Sequence, residues 1–263
     1  MKIPVYHLDA FTDKLFSGNP AAVCVLPKWL PETDLFAISR ENNLPATTFL
    51  VRDGNQFHVR WFAPEIEIPL CGHGSLAAAF VIFNMLEPAW KKVILSSPRE
   101  KLQLTRQGDL FTLNFPAKIP QKFPASGSGI VIKGLVIPPV EIYQYQNERC
   151  LAVYATEEDV RHLHPDMHLL QQSDHRGITV TAPGENVDFV SRTFYPHKIF
   201  PEDPVTGAAH SLLTPYWSQR LNKKELHALQ ISERGGELFC VYEGERVLIS
   251  GKVVLYMQGT ILF

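Results

Sequence analysis

The 263-residue chain lacks a strong charge of either sign. Lys and Arg number 25 against 27 Asp and Glu, a formal net charge of −2, so no electrostatic case exists for nucleic acid or an acidic membrane as partner. It has no apolar run long enough to span a bilayer, which argues against a membrane-embedded chain. Met1, Lys2, Ile3 and Pro4 lead into a strand-like segment rather than a signal peptide, so the expected location is the cytoplasm. Cysteine is scarce: Cys24, Cys71, Cys150 and Cys240 stand far apart with no CxxC spacing, which suggests neither a metal site nor a disulfide framework. Three of them sit in apolar strand-like contexts, where a thiol behaves as a small buried hydrophobe; Cys71 is the exception. GxGxxG, P-loop, GxSxG and HExxH are all absent, so the usual short signatures of dinucleotide, phosphate, serine-hydrolase and zinc chemistry are missing.

What is present is an ordinary globular composition and enough length for one domain or two of about 130 residues. The first half reads as a strand over 3–11, a turn and strand over 16–26, a helix over 32–43, and short strands over 47–51 and 57–62. A turn at Cys71 with a helix to about Asn84 follows, and then a set of hairpin strands. Residues 115–129, FPAKIPQKFPASGSG, form the one Pro-, Gly- and Ser-rich stretch long enough for a linker. The boundary falls there, giving domains 1–118 and 119–263, with the last strand able to return to the first. The second half repeats the plan, with strands over 134–145 and 150–154, a helical patch at 157–164, strands over 177–181 and 187–194, a helix after Thr206, and four closing strands.

Two passages share one grammar. Residues 200–213, FPEDPVTGAAHSLL, run from paired acids through a Pro turn to Thr206 and Gly207 and into a helix. Residues 60–83 run from an extended segment into Cys71, Gly72, His73 and Gly74, with Ser75 opening an Ala- and Leu-rich helix. A helix start presents unpaired backbone N–H groups and the positive end of its dipole, which suits an anion. Asp203 in one passage, and Cys71 or His73 in the other, are placed to carry a proton beside a bound carboxylate.

Each residue also has a plainer reading. Asp203 could cap its helix, but Thr206 holds the better capping position. His73 could be a turn histidine, yet the flanking glycines let a backbone approach a ligand. Cys71 competes with it, because a helix start lowers a thiol pKa; chemistry alone leaves the two open. Gly18, Asn19 and Pro20 read as a tight turn or a ligand contact. Arg234, Gly235 and Gly236 read as a hairpin turn or a carboxylate contact.

Together DAFTDKLFSGNPAAVCVL, RWFAPEIEIPLCGHGSLAAAF, DFVSRTF, EDPVTGAAH and the late RGG segment resemble the PhzF-like isomerase family of phenazine biosynthesis, which is related in fold to diaminopimelate epimerase and proline racemase. The resemblance runs nearly end to end. It implies an α+β fold of two similar diaminopimelate epimerase-like lobes, each a mostly antiparallel sheet around a central helix. It also implies cofactor-independent proton transfer on a small carboxylate-bearing substrate in the inter-lobe cleft, and a possible homodimer.

On this resemblance the family histidine falls on His73, the aspartate on Asp203 and the helix-start glycine on Gly207. The contacts to substrate are carried by Gly18, Asn19, Gly72, Gly74, Ser75, Thr206, Gly207, Ala208, Arg234 and Gly235. No metal is implied. Two positions depart from the family. Its proton-shuttling glutamate is Ala46, and the serine after the helix-start glycine is Ala208, so the phenazine reaction itself is not expected. Two further readings stand beside the isomerase: an amino-acid racemase or epimerase using Cys71 and Asp203, and a family member that binds a ligand or partner without turnover.

Overall fold

The computed structural model describes residues 1–123, 129–146, 148–198 and 201–263. Residues 124–128, in the Pro- and Ser-rich stretch read as a linker, lie outside the described residues, as does Phe200. The chain divides into two compact units, Met1–Phe115 with Leu248–Phe263, and Pro116–Val247. The fold is α+β, with two similar units of mostly antiparallel sheet, each wrapped around one central helix.

The first unit contains β1 (Lys2–Ala10), β2 (Asn19–Leu26), α1 (Glu32–Asn42), β3 (Thr47–Asp53), β4 (Gln56–Phe62), β5 (Glu67–Ile68), α2 (Gly72–Val81), β6 (Lys92–Ser96), β7 (Lys101–Gln107) and β8 (Leu110–Pro116). β1 pairs antiparallel with β2, and β2 runs parallel to β3. β3 pairs antiparallel with β4, which lies antiparallel to β5 and parallel to β6. Hairpins join β6, β7 and β8. α2, GHGSLAAAFV, has no polar face, which is the pattern of a helix enclosed on all sides. It packs against β1, β2, β3 and β7.

The second unit contains β9 (Gln121–Lys122), α3 (Gly129–Leu135), β10 (Glu141–Tyr145), β11 (Arg149–Val153), α4 (Glu157–Arg161), α5 (Met167–Leu170), β12 (Gly177–Pro183), β13 (Phe189–Phe194), β14 (Glu202–Asp203), α6 (Gly207–Leu221), β15 (Glu225–Gln230), β16 (Gly236–Tyr242) and the start of β17 (Arg246–Gly251). β11 is parallel to β12, β12 antiparallel to β13, and β13 antiparallel to β14 and parallel to β15. This is the order of β2 to β6. α6 is the central helix: Trp217 donates to Thr181 Oγ1 at 2.9 Å and stacks on Phe189 with ring centroids 5.7 Å apart. Pro215 lies inside α6 and has no N–H for the Ser211 carbonyl. The backbone N–H of Lys118 supplies that hydrogen bond instead, at 2.9 Å.

β18 (Val253–Leu262) belongs to the first unit and pairs antiparallel with β1 from Lys2↔Leu262 to Ala10↔Val253.

Several readings of the sequence are corrected. The strand read from 134 is the helix α3, with strand structure beginning only at Glu141; its buried Val131, Gly134 and Leu135 keep helical spacing and pack into the outer core of the second unit. The helix read as opening at Ser75 starts at Gly72. Ser75 is inside it, and its hydroxyl returns to the Cys71 carbonyl at 2.6 Å. α5 and the two-residue strands β5, β9 and β14 were not visible as patterns, because they span too few residues to show a period. All four cysteines are buried, Cys71 included, and none is in a disulfide.

Candidate functional site

In the first unit the chain arrives at Cys71 from β5 and turns directly into α2, with Cys71 in an extended conformation (φ −128°, ψ 107°) and no side-chain cap. His73 is buried in the first turn. Its Nδ1 lies 3.2 Å from Asn19 Nδ2 and 3.6 Å from Cys71 Sγ. With the Asn19 amide donating, Nδ1 accepts and the ring proton sits on Nε2. Asn19 begins β2, and its place depends on Gly18, which has φ +67°. A Cβ on Gly18 would stand 2.3 Å from the Ala10 carbonyl oxygen, so only glycine makes this turn. Gly74 is equally constrained: a Cβ there would lie 2.7 Å from Thr48 Oγ1 and 3.1 Å from Cys71 Sγ. The structure thus gathers Gly18, Asn19, Cys71, Gly72, His73, Gly74 and Ser75 around one helix start.

In the second unit Asp203 ends β14, paired with Thr193. Thr206 precedes α6, yet it does not cap the helix with its side chain, contrary to the sequence reading. Its hydroxyl donates instead to Asp203 Oδ2 at 2.8 Å. The Thr206 hydroxyl therefore leaves the helix start uncapped, and the carboxylate is oriented by a neighbour. Gln230, fully buried on β15, bridges the turn: its Nε2 donates to the Asp203 carbonyl at 2.7 Å, and its Oε1 accepts from the Thr206 N–H at 2.8 Å. Ser232 holds the Pro204 carbonyl at 2.7 Å and accepts from the Gly235 N–H at 3.2 Å. Arg234 and Gly235 occupy the β15–β16 turn, with Gly235 at φ +64°. Gly207 is buried and Ala208 half-buried in the first turn of α6.

The two helix starts correspond residue by residue. Arg60 Nε and Nη2 donate to the Glu67 carboxylate at 2.7 and 2.6 Å, and Arg192 Nε and Nη2 donate to that of Glu202 at 2.7 and 2.9 Å. Each guanidinium lies 5.0 Å from the ring centroid of the Phe two residues on, Phe62 and Phe194. Phe62↔Glu67 matches Phe194↔Glu202 in register. On that register Ile68 matches Asp203, Cys71 matches Thr206, and His73 matches Ala208. Ser75 matches His210, whose Nδ1–H donates to the Thr206 carbonyl at 2.9 Å as Ser75 donates to that of Cys71. So the first unit carries the candidates Cys71 and His73 and the second carries Asp203, and the second unit's counterpart of Cys71 is Thr206 rather than Asp203.

Sequence reasoning missed Gln230. Its signal was an amide at an inward position of β15, in line with buried Leu226 and Ala228. Ala46, where the resemblance puts a glutamate, is fully buried. Two acids that could stand in for that glutamate are otherwise placed: Glu67 is tied to Arg60, and Glu41 is exposed on α1.

The architecture and these paired helix starts define an epimerase-like fold. Among solved structures the chain is similar to a PhzF family protein of Enterococcus faecalis, at 42% identity and TM-score 0.95 over 100% of both chains. It is also similar in fold to a hydroxyproline epimerase of Agrobacterium vitis, at 10% identity and TM-score 0.60 over 99% of this chain and 92% of the other. Among curated proteins, an "uncharacterized isomerase" of Pseudomonas aeruginosa is 42% identical over 99% of each chain. The phenazine biosynthesis-like protein family matches residues 8–259, and the chain belongs to it. Family and fold together support an isomerase-type function. No described helix is long and apolar enough to cross a membrane.

Proposed function

We propose that this protein is a cofactor-independent isomerase that moves a proton on a small carboxylate-bearing molecule, with His73 and Asp203 as the proton carriers. One observation carries the reading. In each unit the central helix starts without a side-chain cap, and a titratable group beside that start is oriented by its own hydrogen bond, Asn19 to His73 and Thr206 to Asp203. Uncapped N–H groups and the helix dipole favour a carboxylate. Histidine titrates near neutral pH without help, which suits a group that must both take and give a proton.

The 3.6 Å approach of Cys71 Sγ to His73 Nδ1 favours a second reading, in which the thiol is the proton carrier of a racemase and His73 positions it. Solvent deuterium separates the two. Incubated in D2O with a panel of amino and hydroxy acids, the wild-type protein is expected to place deuterium at the α-carbon of at least one. His73→Asn and Asp203→Asn should each lower that exchange by about 10²–10⁴-fold, with Cys71→Ala close to wild type. The reverse order, Cys71→Ala inactive and His73→Asn active, gives the racemase. Ligands that bind with no exchange would mean a binding protein. With Ala46 in place of the family glutamate, the phenazine precursor dihydrohydroxyanthranilate should not be turned over at a relative's rate. The homodimer implied by the resemblance is part of the proposal, and light scattering on the purified protein tests it.

A further inference from the structure

Arg149 is a half-buried cation with an incomplete set of partners. It opens β11, its Nη1 donates to Tyr195 Oη at 2.7 Å, and its guanidinium lies 5.1 Å from the centroid of the Tyr195 ring. Among the described residues no carboxylate reaches ion-pair distance of it, whereas Arg60 and Arg192 each hold one bidentately. A guanidinium has five N–H donors and, among the described residues, only one hydrogen bond is made here, to a phenol, so a bound anion has donors to meet.

The surroundings are shaped to hold it. Gly177 faces Arg149 across the β11–β12 pairing. A Cβ on Gly177 would lie 2.7 Å from Arg149 Nη1 and 3.0 Å from Tyr195 Cε1, so glycine is what leaves the pair its place. Lys198 adds a second cation, with Nζ 4.0 Å from the Tyr195 ring centroid. The place adjoins the proposed proton carrier. Asp203 pairs with Thr193 near the end of β13, and Tyr195 directly follows that strand, its N–H bonded to the Pro201 carbonyl at 2.7 Å. Arg149 feels both groups: attraction to Tyr195 raises its pKa most, burial opposes this, and the Asp203 and Glu148 carboxylates add to the rise.

We propose that Arg149, held by Tyr195, binds an anionic group of the substrate, so that the substrate is a dicarboxylate with its second carboxylate on Arg149. This names a substrate class within the isomerase reading and rests on that reading only for the first carboxylate. The planar fork of a guanidinium matches a carboxylate bidentately, which a lone lysine does not.

Calorimetric titration with malonate, succinate and glutarate, against propionate, butyrate and valerate, tests it. Wild type is expected to bind at least one dicarboxylate about tenfold more tightly than any monocarboxylate. Arg149→Gln should lose that preference, and Asp203→Asn should keep it. Equal binding of both classes by wild type, or an unchanged preference in Arg149→Gln, overturns the proposal. Should Arg149→Gln not fold, the wild-type Arg149 guanidinium resonance, assigned with Arg149→Lys, decides: it must move with the preferred dicarboxylate and not with a monocarboxylate. The two proposals fail separately. An Arg149-dependent preference without deuterium exchange removes the isomerase and leaves the anion site. Deuterium exchange on dicarboxylates at the wild-type rate in Arg149→Gln, with no loss of their affinity, does the opposite.

Discussion

His210 sits fully buried in α6, with Nδ1–H bonded to the Thr206 carbonyl and its ring 5.8 Å from that of Phe189. Burial disfavours the imidazolium and lowers its pKa to about 4, the hydrogen bond to Thr206 opposing only in part. The unfolded chain therefore takes up a proton near pH 6.5 that the folded chain refuses until about pH 4. The associated stability is present above the unfolded pKa and is lost as pH falls through this window, by about 3 kcal/mol in all. Urea denaturation at neutral pH and at about pH 4.5 should show a smaller acid loss for His210→Gln than for wild type; equal losses would count against a buried neutral imidazole. Residue chemistry of this kind is only partly legible in a sequence. His73 and Asp203 were marked by their neighbours, whereas Gln230 and Arg149 gain their roles from strands far along the chain.

Among the elements, the paired strand–turn–helix devices invite comparison because their ion pairs are alike but their support differs. Arg60 has a second acid, with Glu32 at 2.7 Å. Among the described residues Arg192 has no acid beyond Glu202, and its Nη1 donates to the Val160 and Leu163 carbonyls at 3.1 and 2.7 Å. Arg192→Met would leave a half-buried carboxylate and the Leu163 carbonyl without this donor, and should cost about 3–5 kcal/mol. Arg60→Met leaves Glu67 but strands no carbonyl of α4, and Glu32 is exposed enough to be hydrated, so its cost should be about half of that. Urea midpoints rank them, and a larger loss for Arg60→Met would contradict the accounting. At this scale the sequence shows the long elements, α1, α2, α6 and most strands, through their periods. It does not show β5 and β14, although Arg-x-Phe followed by Glu-x-Pro and Gly recurs in both passages and marks them once the pairing is known.

For the whole molecule the consequential feature is the return of the chain. β18 lines one whole side of β1, nine residues of strand whose other side is taken by β2. A fragment of Met1–Phe115 lacks β18 and should not fold alone; addition of the 248–263 peptide should restore its circular dichroism and its urea transition. A fragment that folds without the peptide would show that β18 is dispensable to the first unit. By itself the sequence determined the class of fold, the family and the two turn–helix passages that hold Cys71, His73 and Asp203, because period, turn chemistry and motif are properties of neighbours along the chain. Only the tertiary structure decided that helix α2 begins on Gly72, that Thr206 serves Asp203 rather than its helix, that Gln230 locks the turn and that β18 closes the first unit. Those outcomes depend on which distant strand lies alongside which, and on where a buried polar group finds its partner, and no local pattern encodes either.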